Sequence, residues 1–175
     1  MGGKILGSWS GMRKYLEQEM LAESMKGRIR YRCTTFPDMD GCGLFEVFLD
    51  GKTYKQFSLE TVQSYFIKNG IVEQKPHPLS IPEYWEDFLE TLEKAPMNER
   101  TEYTDDEFSE ALQAYRNSDI AESLAADNPI QNMFAVLDRR VGKRTLIKIK
   151  DEMSKTPEWL DRLYGERCKA EGVKE

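Results

Sequence analysis

The sequence predicts an α+β protein, with an N-terminal helix, a three-stranded antiparallel β-meander and a mostly helical C-terminal half. Three observations carry this. Ile29, Tyr31 and Cys33 alternate with Arg28, Arg30 and Arg32, the period of two of a strand with one buried face. Asp50-Gly51 joins two apolar runs, the two-residue signal of a type I′ hairpin. Beyond the prolines of residues 73–82, apolar residues recur every three or four positions to the end of the chain, the period of amphipathic helices.

The elements follow in order. A first helix is expected from Gly11 to Met25, capped by Ser8 or Ser10, with Met12, Leu16 and Met20 as core-filling residues on one face and Gly27 as its stop. Strands are expected over Arg28 to Phe36, Leu44 to Leu49 and Lys52 to Phe57. The hairpin register pairs Val47 with Tyr54 and Glu46 with Lys55, an apolar and an ionic cross-strand pair. Ser58 caps a short helix carrying Val62, Tyr65 and Phe66, which Asn69 and Gly70 end.

After the connector, Tyr84, Trp85, Phe88, Leu89 and Leu92 form the stripe of a helix starting near Ile81. Thr104 and Glu107 make a capping box, and Ser118 caps a brief helix to Ala126. Asn128-Pro129 and Thr156-Pro157 open two more helices, the last carrying Trp159, Leu160, Leu163 and Tyr164 and stopping at Gly172. The 175 residues are expected to form one domain: an α/β-meander/α region over residues 1–72, a connector over 73–82 and a helical region over 83–175. Such a chain buries about 70% of its unfolded surface and needs neither disulfide nor metal.

Composition narrows the function. The net charge of −6 argues against general affinity for nucleic acid or anionic lipid. No window approaches the roughly 18 apolar residues of a membrane span. Cys33, Cys42 and Cys168 are odd in number and lack CxxC spacing, and Ile5 and Leu6 are too short for a signal-peptide core; both features point to a reducing, cytoplasmic setting. No cofactor and no metal is expected, since His77 stands alone in a Pro-His-Pro connector and the cysteines lack zinc spacing. The loop Pro37-Asp-Met-Asp-Gly41 lacks the later ligands of a calcium site and reads as a turn.

Charge is segregated along the chain. From Glu83 to Asp127 there are 14 acidic residues against Lys94, Arg100 and Arg116, whereas Asp138 to Lys150 holds six cations against Asp138 alone. Either the two segments face each other or each faces a partner of opposite sign. Were Ile130 to Met153 one helix, each residue turning about 100°, the cations Arg139, Arg140, Lys143 and Lys150 would share one arc with Arg144 beside it. Phe134, Leu137 and Val141 would form one apolar stripe, and Leu146, Ile149 and Met153 a second. Asp138 would point inward between them and need an arginine, with the Arg28 strand or Arg167 the candidates. Gly142 then either permits a close approach or marks a junction between two helices; periodicity admits both.

The run Leu137-Asp-Arg-Arg-Val-Gly-Lys-Arg-Thr-Leu146, with Lys26-Gly-Arg28 leading into an early strand, resembles a group of small, uncharacterised bacterial cytosolic proteins. These share an Asp-Arg-Arg-x-Gly-Lys-Arg-x-Leu signature late in the chain. The resemblance implies a structural role for Asp138 and Gly142 and no activity.

The candidate binding face is therefore Arg139, Arg140, Lys143, Arg144 and Lys150, with Arg28, Arg30 and Arg32 a secondary one and Asp138 a structural ion-pair member. The bland alternative for each is a solvated charged face. Val141-Gly-Lys-Arg-Thr is not a phosphate loop, because it lacks the upstream glycine and a hydroxyl residue directly after the lysine. No catalytic residue is singled out. The leading expectation is a non-enzymatic interaction protein that docks an acidic protein or polyanion on its basic segment. A local nucleic-acid binder and a hydrolase using paired carboxylates are the alternatives.

Overall fold

The β-strands are β1 (Ile29–Thr35), β2 (Gly43–Leu49) and β3 (Lys52–Phe57), antiparallel in the order β1-β2-β3. This computed structural model describes residues 8–35, 43–76 and 78–174. The Pro37–Gly41 loop, Cys42 and His77 lie outside the described residues. Ile29, Tyr31, Phe45, Val47 and Phe57 fill one sheet face, as the alternation requires. Asp50 and Gly51 turn the hairpin at φ 51° and 79°, positive as a type I′ turn demands.

The register differs from the expected one beyond the first two pairs. Leu49 faces Lys52 and Phe48 faces Thr53, but Val47 then faces Lys55, so a bulge skips Tyr54. Its cause is tertiary. The extra residue lets Tyr54 Oη donate to the Trp159 carbonyl and turns Lys55 inward, where its ammonium lies 5.6 Å from both the Tyr103 and Trp159 rings and 2.8 Å from Glu102. Glu46 pairs instead with Arg32 at 2.5 Å.

Nine α-helical segments are present among the described residues: α1 (Trp9–Lys14), α2 (Leu59–Lys68), α3 (Pro82–Lys94), α4 (Asp105–Asn117), α5 (Ile120–Ala125), α6 (Pro129–Leu137), α7 (Lys143–Lys148), α8 (Lys150–Met153) and α9 (Glu158–Glu171). Local capping explains most starts. Ser8 accepts from Gly11 N–H, Ser58 from Thr61 N–H, and Asn128 from the N–H groups of Ile130 and Gln131; Thr104 and Glu107 cap reciprocally. The brief helix opens at Asp119 rather than Ser118, because the Asp119 N–H finds the Glu122 carboxylate at 3.1 Å. Gly172 ends α9 at φ 68°.

The first helix stops well short of Met25. A π-helical turn, Tyr15–Glu19, ends it, because the backbone that follows is claimed by a distant segment: Ala22 N–H donates to Leu137 O (2.9 Å) and Met20 O accepts from Arg139 N–H (2.8 Å).

Three apolar clusters result. Residues of the sheet face pack with α4, α6 and α9 through Phe108, Leu112, Phe134 and Leu160, including stacked Phe45 and Phe108 rings with centroids 4.4 Å apart. Val141, Leu146, Met153, Tyr164 and Cys168 form a second cluster. Val62, Phe66 and Phe88 join α2 to α3. Leu89, expected in the buried stripe of α3, is 50% exposed, since α2 meets only the Phe88 side of the helix. No helix among the described residues is long and apolar enough to cross a membrane.

Candidate functional site

The chain does not run as one helix from Ile130 to Met153. All nine residues of α6 are buried, and it ends at Leu137 because Asp138 takes extended dihedrals (φ −69°, ψ 138°). The carboxylate holds that turn. Asp138 Oδ1 accepts from Arg140 N–H at 2.7 Å, its Oδ2 accepts from Tyr115 Oη at 2.5 Å, and the Arg140 guanidinium donates to Oδ2 through Nη2 at 2.7 Å and to both oxygens through Nε.

This corrects the expected partner of Asp138. Its cation is neither Arg28 nor Arg167 but Arg140, two residues on. Side chains two apart point away from each other on a helix, so only a broken helix brings these together. Burial, then the Asp138 carboxylate, pushes the Tyr115 phenol well above its ordinary range. Arg28 is engaged by Asp50 (2.8 Å) and Glu166 (2.9 Å).

Arg167 reaches the same turn by a different route. Only 2% exposed, it donates through Nη2 to Val141 O (2.9 Å) and through Nη1 to Ser24 Oγ (2.8 Å), and it pairs with Glu171. Val141 N–H closes onto Asp138 O at 3.0 Å. With the Met20 and Ala22 hydrogen bonds, the polar backbone of the turn is satisfied from three directions, as buried main chain must be. Ser24 first, then Arg167, holds the Glu171 carboxyl below the usual carboxylate range.

Gly142 is the junction, not a close approach. It precedes α7 at φ −89° and ψ 176°, and a Cβ built there meets nothing within 4 Å. Neither left-handed backbone nor crowding requires glycine at this position.

On this mount Arg139, Lys143, Arg144, Lys148 and Lys150 are exposed. None of them forms an ion pair among the described residues, whereas the charge of Arg140 is turned toward Asp138. The sheet arginines differ: Arg30 pairs with Glu17 at 3.0 Å and Arg32 with Glu46. The basic segment is thus split between a loop and two short helices, and no ion pair among the described residues joins it to the acidic stretch Glu83 to Asp127.

The sequence reading missed Ile147 and Lys148. Ile147 is 60% exposed in the midst of the cations, and its signal was an apolar residue falling outside both stripes. It borders a groove of about 910 Å³ between the β2–β3 hairpin, α8 and α9, together with Lys52, Lys150, Arg162 and Lys169. Arg28 donates to the groove's Asp50 and Glu166 and holds both below the usual carboxylate range. One described carboxyl is shifted upward: burial raises Asp105, which accepts from Gly43 N–H at 3.0 Å.

These features define an α+β protein whose meander is covered by helices and which presents a basic turn on a buried carboxylate and arginine. The chain belongs to the SF0329 protein family, which it matches over residues 8–168. Neither the curated proteins nor the solved structures give a match.

Proposed function

We propose that this is a non-enzymatic, cytoplasmic interaction protein, built as one domain, that docks an acidic protein surface on Arg139, Lys143, Arg144, Lys148 and Lys150. The observation that carries this is the contrast among neighbouring cations: Arg28, Arg30, Arg32, Arg140 and Arg167 each hold a carboxylate, whereas these five form no ion pair among the described residues. Exposed Ile147 among them favours a protein over a phosphate backbone, because an apolar side chain flanked by Lys143, Arg144 and Lys150 suits a partner with an apolar point beside acidic groups. The net charge of −6 opposes a polynucleotide in the same direction. The free thiols Cys33 and Cys168 fit a reducing compartment.

The test is a photoreactive amino acid at position 147, activated in cells. The expected adduct is destroyed by protease, survives nuclease, and disappears when Lys143, Arg144 and Lys148 become glutamate. A nuclease-sensitive adduct would transfer the site to nucleic acid, and an adduct indifferent to the charge reversal would end the docking reading.

A further inference from the structure

Three large apolar side chains stand exposed among the described residues: Ile71, Leu89 and Ile147. Two of them carry collars of opposite charge. On α3, Leu89 has Glu86 three residues before it and Glu93 four after, both exposed, which places them beside it on one helix face. On α7 and α8, Ile147 has Lys143 four before, Arg144 three before and Lys150 three after, all exposed, and Lys150 borders the same groove as Ile147. Glu90 is drawn to Lys94, but Glu86 and Glu93 form no ion pair among the described residues. Asp151, four after Ile147, is exposed as well, so three cations outnumber one acid around Ile147 while two glutamates flank Leu89, and the two collars remain opposite in net sign.

We propose that the occupant of the basic turn is α3 of a second copy of this chain, Leu89 seated against Ile147 with Glu86 and Glu93 facing Lys143, Arg144 and Lys150. This inference rests on the basic turn being a docking face and names its partner. The ridges lie on separate elements, so each copy offers both halves of the contact. Two like copies repel through their net charge, but at physiological salt that field decays over about 8 Å, whereas the ridges touch. A contact centred on one apolar residue from each side is small, so association is weak and reversible.

Sedimentation velocity over a concentration series tests this with three forms of the full chain. The parent is expected to rise in weight-average mass with concentration and to lose that rise at about 1 M salt, where the screening length shrinks to about 3 Å. E86K/E93K and R144E/K150E are each expected to remain monomeric, with far-UV circular dichroism unchanged since all four sites are exposed. Mixed in equal amounts, the two variants present only matched ridges to each other and regain association. A parent that stays monomeric throughout, association that survives either reversal, or variants that fail to complement overturns the proposal. E86K/E93K keeps every cation of the basic turn. A monomeric parent with a persisting foreign-protein adduct at position 147 in this variant therefore ends self-association and leaves the docking reading standing.

Discussion

Replacing Asp138 with alanine strips three donors of their acceptor at once: Tyr115 Oη, Arg140 N–H and the Arg140 guanidinium. The consequences are unequal. The Arg140 side chain is 44% exposed, so its charge turns to water and its share is less than about 1 kcal/mol. Tyr115 is 2% exposed, and a buried hydroxyl without a partner costs about 1–3 kcal/mol. The lost backbone bond adds about 1 kcal/mol. The total is about 3 kcal/mol, a fall in Tm of about 6–12 °C for a chain of this length. Asp138→Asn keeps one acceptor oxygen and is expected to cost about half as much, while Arg140→Gln costs less than about 1 kcal/mol. Urea unfolding followed by circular dichroism reads all three as changes in midpoint at constant m. If Arg140→Gln proves as damaging as Asp138→Ala, the ion pair rather than the hydrogen-bonded carboxylate shapes the turn, and the reasoning is refuted.

Two further expectations concern the same region. Gly142→Ser places a hydroxyl at the N-cap of α7 in open space, so stability should hold or rise by up to about 1 kcal/mol; a thermal melt showing a loss larger than that would contradict the described backbone. Ser24 and Arg167 favour the ionised form of Glu171 in the folded state, lowering its pKa from 4.5. Its stabilisation is therefore complete above that value and lost as pH falls through the lowered one. Glu171→Gln should flatten the acid limb of the urea midpoint against pH below about 4.5, and an unaltered slope would show that this carboxylate contributes nothing.

How much of the molecule could be read in the chain depended on the range of the forces involved. Asp50-Gly51, the alternation through Ile29, Tyr31 and Cys33, and the caps at Ser8, Ser58, Thr104 and Asn128 act within a few residues, and local chemistry decided them. Tyr54 is bulged out because Trp159 and Glu102, far along the chain, compete for Tyr54 and Lys55 against a sound cross-strand pairing with Glu46. The first helix ends early, and the basic helix breaks, for one shared reason: residues 20–22 and 137–139 take each other's backbone hydrogen bonds. A helical wheel lays Arg139, Arg140, Lys143 and Lys150 along one arc but is blind to a competitor more than a hundred residues away, which breaks the helix and leaves Arg140 turned to Asp138. Asp138 was recognisable as a carboxylate in need of a cation. That the cation would be Arg140 required knowing that the helix had already ended.

Arg167 ties the carbonyl of Val141 to Ser24, 143 positions before the arginine itself. During synthesis the turn therefore lacks its final restraint until α9 has left the ribosome. A nascent chain halted before that helix keeps the Asp138 bonds of the turn but leaves the Val141 carbonyl without the Arg167 donor. The spacing of the turn's cations is thus tied to the docking of α9 against residues 20–24.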